Sequence, residues 1–329
     1  MKDSKKQKKK NKEENILAPL LLLTVLFIIL ASLFIFNKDL QRQILSKQTR
    51  ANPLSSNFLS AYPALKNPIS PLLFAQAALI MDDESKVVLF AKNEKLRFSM
   101  ASTVKIMTAL VALDYYKMDD ILTVLDNNIS GVKVGFQKGE KIRFEDLLYA
   151  MLLPSGNDAA LTIAQNYPGG VEAFVEKMNE KAKDLYLLGT HFSDPAGLQD
   201  DGDYTTALDL GRLASVAMRN EKFSQIVSTK YKAISSIDGS RSYELRNLNK
   251  LLGTNGVTGI KTGFTDEAGG VLVTSTYQNG KKILIVIMKS QDRFADTNEL
   301  LLAIEGNLTF LSIRRKSYFS IHSSLRAST

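Results

Sequence analysis

The apolar and polar positions near the beginning of the chain separate it into three stretches. Residues 1–15 are lysine-rich, residues 16–36 form an unbroken run of 21 residues without a charge, and residues 37–70 are polar, with Asn, Ser, Gln and Pro. As a helix, the apolar run would be roughly 31 Å long, which is enough to cross the core of a bilayer. The pattern predicts a basic cytoplasmic segment, a single transmembrane anchor in the plasma membrane and an extracytoplasmic linker.

A cleavable signal peptide is the alternative to an anchor. Its apolar region is usually about 7–15 residues long and ends at a small-x-small site. This run is longer and ends in Phe34-Ile35-Phe36. Seven lysines precede it, so the positive-inside rule favours a cytoplasmic N-terminus. We therefore expect an uncleaved anchor with the bulk of the chain outside the cell, and the sequence leaves later cleavage open.

Hydrophobic periodicity after residue 70 predicts strands at both ends of a domain and helices in its middle. Apolar runs on either side of residues 82–85, and β-branched runs on either side of Asn279-Gly280, are typical of β-hairpins. Apolar spacings of three and four residues predict helices at 102–116, 144–153, 158–166, 171–188, 205–218 and 296–310. This order predicts an α/β (α+β) fold with one antiparallel sheet assembled from both ends, flanked by helices and with a helical region inserted. We expect the domain to span 71–312, followed by a basic tail at 313–329.

Composition narrows the chemistry. Cysteine is absent, which excludes disulfides and thiolate metal sites, and the two histidines are His191 and His322. A multi-histidine metal centre is therefore not expected, and neither is a cofactor. The net charge is +8, of which half lies in the first 14 residues, and no basic patch interleaved with aromatic residues is found. We expect no nucleic-acid partner.

Ser102 and Lys105 stand at the beginning of the first predicted helix. A spacing of three residues places both side chains on one helical face, about a hydrogen bond apart. A serine nucleophile needs a nearby base, and a lysine can act as one if burial or a neighbouring cation lowers its pKa. Because histidines are so few, a lysine base is favoured over a Ser-His-Asp triad. By itself the tetrapeptide is common, since Ser-x-x-Lys often marks an N-cap followed by a solvated lysine.

Two further motifs change this interpretation. Ser155-Gly-Asn157 lies between two predicted helices, and Lys261-Thr-Gly263 lies along a predicted strand. Taken alone, Ser155 could cap a helix and Lys261 could be a solvated strand residue. The three motifs together, in this order and in these structural contexts, are typical of β-lactamases and penicillin-binding proteins.

The sequence resembles the serine D-alanyl-D-alanine carboxypeptidase family, the low-molecular-mass penicillin-binding proteins. The resemblance extends around the motifs over 98–112, 152–160 and 259–269, and it includes the connecting segments 192–198 and 204–210. It implies a β-lactamase/penicillin-binding-protein transpeptidase-like fold for most of the chain after residue 70. Many family members hold the membrane through a C-terminal helix after a second domain, whereas the predicted anchor here is N-terminal.

The resemblance implies roles for four catalytic residues. Ser102 would attack the carbonyl of the penultimate D-alanine of a peptidoglycan stem peptide and form an acyl-enzyme. Lys105 would take the serine proton, helped by a dry site and a nearby Lys261 charge. Ser155 would relay a proton towards the leaving amine, and Asn157 would hold Lys105 and the substrate backbone.

The resemblance assigns substrate binding to the third motif. Lys261 and Thr262 would bind the terminal carboxylate. Gly263 would let the substrate pair along the strand, because it lacks a side chain. The backbone N–H groups of Phe264 and Ser102 would form the oxyanion hole. The expected partners are stem peptides ending in D-Ala-D-Ala, β-lactam antibiotics as acylating inhibitors, and the lipid bilayer through residues 16–36.

Three alternatives stay open beside a membrane-anchored serine D,D-carboxypeptidase. A D,D-endopeptidase would cut cross-links with the same residues. A β-lactamase is less favoured, because no Glu-x-x-Leu-Asn segment of the kind those enzymes use for deacylation follows the second motif. A non-catalytic peptidoglycan-binding protein would need a broken motif, and all three motifs are intact.

Overall fold

The computed structural model describes residues 61–312, with Ser32 as one further residue. In this part of the chain the strands are β1 (Ala61–Leu65), β2 (Ala77–Asp82), β3 (Val88–Lys92), β4 (Arg97–Ser99), β5 (Ile121–Thr123), β6 (Lys141–Arg143), β7 (Tyr204–Thr206), β8 (Tyr231–Ser235), β9 (Ser242–Arg246), β10 (Val257–Thr265), β11 (Gly269–Gln278), β12 (Lys281–Ser290) and β13 (Leu308–Ser312). The α-helices are α1 (Lys105–Tyr115), α2 (Phe144–Leu152), α3 (Asn157–Gln165), α4 (Gly170–Asp184), α5 (Ala207–Ala217), α6 (Glu221–Val227) and α7 (Arg293–Ile304).

One five-stranded sheet organises these elements. Its strand order is β10-β11-β12-β2-β3, and every neighbouring pair is antiparallel. Two of its strands come from the start of the described chain and three from the end, which confirms the predicted sheet assembled from both ends. The turn between β11 and β12 has a positive φ at both Asn279 (51°) and Gly280 (75°), as a two-residue type I′ hairpin requires.

The two faces of the sheet are covered by different helices. In β2, Leu79 and Met81 belong to a large apolar core to which α1–α6 also contribute, whereas Ile80 belongs to a smaller core. This alternation follows from the two-residue period of a strand. The smaller core contains Leu300 and Ile304 of α7. The inserted helical region therefore packs on one face of the sheet and α7 on the other.

Several boundaries differ from those predicted from the sequence. The first is that of the last helix, predicted at 296–310. The helix begins at Arg293, because the Asp292 carboxylate accepts hydrogen bonds from the next backbone N–H groups, and it ends at Ile304. Gly306, with a φ of 65°, then turns the chain into β13, which pairs with β1. The linker predicted at 37–70 is therefore wrong for residues 61–65, which form a strand. The helix predicted at 171–188 ends at Asp184.

Other predictions fall outside the described residues. These are the basic segment at 1–15, the anchor at 16–36 apart from Ser32, the linker before residue 61 and the tail at 313–329. Within the described part of the chain, no helix combines the length and the hydrophobicity needed to cross a membrane.

Candidate active site

Ser102 lies in a tight turn that precedes α1. Residues Ala101–Val104 form a short 3-10 helix, and the α-helix begins at Lys105, so the predicted helix start at Ser102 is wrong by one turn. Ala101 enters this turn with a φ of 45°, a left-handed conformation that is uncommon for a residue other than glycine. Such strained backbone is concentrated at functional sites. The turn leaves the Ser102 side chain partly exposed.

Lys105 is fully buried, and its Nζ lies close to three oxygens. The distances are 2.9 Å to Ser102 Oγ, 2.8 Å to Asn157 Oδ1 and 2.6 Å to the backbone oxygen of Ala196. The last two oxygens can only accept, because Asn157 Nδ2 donates elsewhere, to the Ser130 carbonyl. A neutral amine would give its two N–H groups to these acceptors and turn its lone pair towards the Ser102 hydroxyl. The geometry therefore fits a neutral lysine that can take the Ser102 proton.

The electrostatic environment of Lys105 supports the same conclusion. Burial lowers its pKa from 10.5 to about 7, while the charges of Asp194, Asp158 and Asp203 oppose this change. A general base works best when its pKa lies near the pH of the reaction. The resemblance attributed part of the effect to the Lys261 charge, but burial is the main cause in the structure.

The second motif fixes Asn157 at the first residue of α3. Next to it, the buried Asp158 carboxylate accepts hydrogen bonds from the backbone N–H groups of Val134, Gly135 and Phe136 at 3.0, 2.7 and 3.2 Å. These bonds fasten the loop that carries the acceptor of the Asn157 amide. Asp158 therefore stabilises the loop that contacts the second motif. The sequence did not indicate this role.

Ser155 faces the third motif. Lys261 Nζ lies 2.9 Å from Ser155 Oγ and 2.8 Å from the backbone oxygen of Thr262. Ser155 has a φ of 69°, and its side chain does not cap α3. Burial, together with the charges of Lys105 and Arg293, lowers the pKa of Lys261 well below its usual value. Lys261 is thus a buried partner of Ser155 and not a solvated strand residue.

β10 passes directly beside the Ser102 turn. It is an edge strand of the five-stranded sheet, so its outer edge is not occupied by another strand of the described chain. A Cβ at Gly263 would lie 2.9 Å from the Ser102 nitrogen and 3.0 Å from Ala101 Cβ, closer than real Cβ atoms approach. Glycine is therefore required by the approach of the strand to the nucleophile turn. Phe264 follows on the same strand with an exposed side chain.

Arg293 joins the site although no motif indicates it. Its Nε donates to Thr262 Oγ1 at 2.5 Å, and its side chain is partly exposed. Burial lowers its pKa, but a guanidinium keeps its charge at neutral pH. Arg293 and Thr262 thus offer a cation and a hydroxyl to an anion, whereas Lys261 is 1% exposed. Asp292 signals a helix start in the sequence, but contact with a residue 31 positions away depends on the tertiary fold.

The predicted side chains fall into two hydrogen-bonded groups. Ser102, Lys105 and Asn157 form the first, and Ser155 with Lys261 forms the second, next to Thr262. His191 lies apart from both. Its Nδ1 is 2.8 Å from the Gly202 oxygen and its ring stacks on Tyr204, so its contacts are structural.

The fold and these two groups are those of a serine acyl-transfer enzyme. The family model for D-alanyl-D-alanine carboxypeptidases, peptidase family S11, matches residues 65–292. The chain belongs to this family, which confirms the resemblance found in the sequence. It is a serine D-Ala-D-Ala peptidase of the penicillin-binding-protein type.

Individual relatives agree with this assignment. The D-alanyl-D-alanine endopeptidase of Pseudomonas aeruginosa is 33% identical over 261 residues, which cover 76% of this chain and 84% of that protein. The D-alanyl-D-alanine carboxypeptidase DacF of Bacillus subtilis is 31% identical over 65% of this chain, which spans 57% of DacF. The crystal structure of the Streptomyces K15 DD-transpeptidase has 31% identity and a TM-score of 0.67, covering 72% of this chain and 98% of that one.

Proposed function

We propose that this protein is a membrane-anchored D,D-carboxypeptidase that removes the terminal D-alanine from peptidoglycan stem peptides through an acyl-enzyme on Ser102. The observation that carries the proposal is the contact of 2.9 Å between Ser102 Oγ and the fully buried Nζ of Lys105, whose pKa burial lowers to about 7. A lysine with these properties is neutral in a large fraction of molecules at physiological pH. It can therefore act as the base for the serine.

Acylation begins with attack of Ser102 Oγ on the carbonyl carbon of the penultimate D-alanine. The hydroxyl proton passes to Lys105 Nζ as the new C–O bond forms. The carbonyl oxygen becomes an oxyanion, for which the backbone N–H groups of Ser102 and Phe264 are the proposed donors. Gly263 supports this arrangement, because its missing side chain lets β10 lie against the Ser102 turn. Such donors typically contribute about 10²–10³ in rate.

Collapse of the tetrahedral intermediate breaks the C–N bond to the terminal D-alanine. The leaving nitrogen needs a proton, and the Ser155 hydroxyl, held 2.9 Å from Lys261 Nζ, is the proposed donor. The proton that Lys105 took from Ser102 then replaces the one that Ser155 gave, which leaves Lys105 neutral again. Water attacks the resulting ester on Ser102 with Lys105 again as the base, which releases the shortened peptide and regenerates the serine.

The terminal carboxylate is proposed to bind at Thr262 and Arg293. The guanidinium is partly exposed and already oriented by its bond to Thr262 Oγ1. A fork of N–H groups matches a carboxylate better than a single buried ammonium does. In this proposal Lys261 supports Ser155 more than it contacts the substrate, which modifies the carboxylate role that the resemblance implied for it.

Acylation by β-lactams tests the nucleophile. We expect a fluorescent penicillin to label the protein covalently, and Ser102→Ala to abolish the label. Ser228→Ala, which removes an exposed hydroxyl at the end of α6 that donates to Gln225, is the matched control and should be labelled like the wild type. Labelling that survives in Ser102→Ala would overturn the assignment. Rapid turnover of the bound penicillin would indicate a β-lactamase instead.

A D,D-endopeptidase is the second candidate, because the relative from Pseudomonas aeruginosa carries that name at 33% identity. The two activities use the same acyl-enzyme and differ in the leaving group. Purified protein should be given a stem pentapeptide and a cross-linked muropeptide dimer in parallel. Release of free D-alanine at a higher kcat/KM than cleavage of the dimer supports the carboxypeptidase, and the reverse order supports the endopeptidase.

The proposed location is the outer face of the plasma membrane, with residues 16–36 as the anchor. It is supported by the uncharged run and the seven lysines that precede it. Protease added to intact cells stripped of their wall should cleave residues after 37 and spare the N-terminal segment. Complete protection, or release of the whole protein by high salt, would contradict this location.

A further inference from the structure

The loop between α4 and β7 lies against the catalytic lysine. Its Ala196 carbonyl accepts the 2.6 Å hydrogen bond from Lys105 Nζ, and its Pro195 carbonyl accepts a bond of the same length from Thr108. Gly197 has a φ of 82° and packs so tightly on the Ala101 carbonyl that a Cβ would overlap it. The conformation of this loop therefore sets the position of an acceptor for Lys105.

Asp194 holds this loop in place. One carboxylate oxygen accepts from the backbone N–H groups of Ala196 and Gly197 at 2.6 and 2.7 Å, and the other accepts from those of Leu198 and Gln199 at 2.8 and 2.9 Å. Four donors converge on a single side chain, and one of them belongs to Ala196, whose carbonyl meets Lys105. The carboxylate is thus one residue removed from the base.

Asp203 lies behind Asp194 and is 1% exposed. Its Oδ1 accepts from the backbone N–H of Ser193 at 2.7 Å. Within residues 61–312, no N–H or hydroxyl donor serves its Oδ2. The Asp203 side chain is within hydrogen-bond reach of the Asp194 carboxyl group. Two carboxyl groups in such contact cannot both be ionised without strong repulsion. A proton on Asp203 Oδ2 lets this atom donate a hydrogen bond to the Asp194 carboxylate. The pair then keeps a single negative charge.

We propose that Asp194 and Asp203 form a proton-sharing carboxyl pair that carries one negative charge and holds the Ala196 carbonyl against Lys105. Both are positioning residues that act through Lys105. The proposal rests on the proposed role of Lys105 as the base.

The electrostatics of the pair agree with this arrangement. Burial and the neighbouring Asp194 charge raise the pKa of Asp203 to about 8. Burial alone would also raise the pKa of Asp194, but the hydrogen bond from Asp203 and the backbone N–H groups lower it. The proton therefore resides on Asp203, and Asp194 is the ionised member that binds the loop.

Other charged or titratable groups interact with Lys105 or lie next to the pair. Both carboxyl groups raise the pKa of Lys105 on α1, and Asp158 at the start of α3 also raises it. Lys261 on β10 is coupled to Lys105. His191 is bonded to the Gly202 oxygen next to Asp203.

Loss of the shared proton has a defined direction. An ionised Asp203 repels the Asp194 carboxylate that orders the loop, which displaces the Ala196 carbonyl from Lys105. The Lys105 amine is then no longer oriented towards Ser102, so the acylation rate falls. The enzyme should therefore lose activity as the pH rises through about 8, the pKa of Asp203.

The test uses the full chain and the second-order rate of acylation by a penicillin between pH 6 and 10. We expect the wild-type rate to fall on the alkaline side. Asp203→Asn keeps the shape and supplies a permanent N–H donor to Asp194, so its alkaline decline should disappear or move up by at least one pH unit. Asp201→Asn makes the same chemical change at an exposed neighbour and should retain the wild-type profile. An alkaline decline in Asp203→Asn that superimposes on that of the wild type would overturn the proposal.

A second measurement separates this proposal from the proposed function. Infrared spectra of the wild type should show the C=O stretch of a protonated carboxylic acid at pH 7, and the band should vanish between pH 7 and 9. The band should be missing from folded Asp203→Asn, whose fold is checked by thermal unfolding. A wild type without this band at pH 7 would refute the pair whatever the activity. A wild type with the band that no penicillin acylates would instead refute the proposed function.

Discussion

Lys105 and Lys261 are two buried lysines of one cleft whose surroundings differ. They are 0% and 1% exposed, and burial is the largest influence that lowers the pKa of each. Around Lys105, neighbouring aspartates oppose the effect of burial, and the pKa is about 7. Around Lys261, the neighbouring charges are the cations Lys105 and Arg293, which add to it. Two equally buried lysines therefore differ in pKa: that of Lys105 lies near neutral pH, and that of Lys261 lies well below its usual value.

The contacts of the two lysines agree with this electrostatic difference. Lys105 reaches the Ser102 hydroxyl directly, and two fixed acceptors orient its amine. Lys261 reaches Ser155 and a backbone carbonyl of its own strand. The comparison teaches that carboxylates behind a buried lysine can tune it for catalysis, and that burial alone does not make a base.

The largest effect should follow from Lys105→Met, which keeps the volume of the side chain but removes the base. We expect the acylation rate by penicillin to fall by about 10²–10⁴, the usual contribution of a general base. The same substitution at the exposed Lys117 should leave the rate unchanged. A Lys105→Met enzyme that retained more than a tenth of the wild-type rate would show that the two lysines have been assigned the wrong way round.

Lys261→Met should have a smaller effect of a different kind. Ser155 loses its partner, so the plateau of the acylation rate should drop by about 10²-fold, the lower end of the range for proton transfer groups. The midpoint of the acid limb should stay near pH 7, because Asp194, Asp158 and Asp203, and not Lys261, are the charges that act on Lys105. A midpoint that moves upward in Lys261→Met would mean that the Lys261 charge does help to depress the pKa of Lys105.

Arg293→Gln tests whether the partly exposed Arg293, and not the buried Lys261, binds the terminal carboxylate of the substrate. If Arg293 binds the terminal carboxylate, kcat/KM for a peptide ending in D-Ala-D-Ala should fall by about 10- to 150-fold, the value of a hydrogen bond to a charged group. Cleavage of the same peptide with a C-terminal amide should change little. Arg246→Gln, at an exposed arginine of β9, is the control. Equal losses on the acid and the amide would remove Arg293 from carboxylate binding.

Much of the site could be predicted because its motifs are local. Ser102 and Lys105 are joined by helical spacing, and the glycine and asparagine near residue 280 encode their hairpin directly. Arg293 could not be found in this way, because only the packing of α7 on the sheet brings it to Thr262. Asp194 and Asp203 are separated from Lys105 by some ninety residues, and nothing in a single sequence indicates that their loop folds back on the lysine.

The boundaries that were predicted wrongly have one local cause and one tertiary cause. The apolar pattern of α7 continues to residue 310, but Gly306 adopts a positive φ and diverts those residues into β13. Their partner β1 lies at the other end of the described domain, and its short sequence, interrupted by Pro63, is typical of a linker. Pairing between the two ends of a domain is a tertiary property that periodicity does not reveal.

A further effect concerns stability. The pKa of Lys105 is lower in the folded state than in the unfolded state, where it is near 10.5, so the folded protein binds fewer protons between about pH 7 and 10.5. This lysine therefore costs stability increasingly as the pH falls through that window. Lys105→Met removes the cost, and its advantage over the wild type in urea unfolding should be larger at pH 7 than at pH 10. An advantage that does not vary with pH would contradict the lowered pKa.

The acid side of the pH profile tests the central claim, that neutral Lys105 takes the proton of Ser102. The measurement is the second-order rate of penicillin acylation of the wild-type protein from pH 5 to 7.5. We predict that the rate rises about tenfold per pH unit at first and levels off near pH 7, where half of the Lys105 side chains are neutral. A rate that is independent of pH between 5 and 6.5 would contradict the account, because almost every Lys105 would then carry its proton.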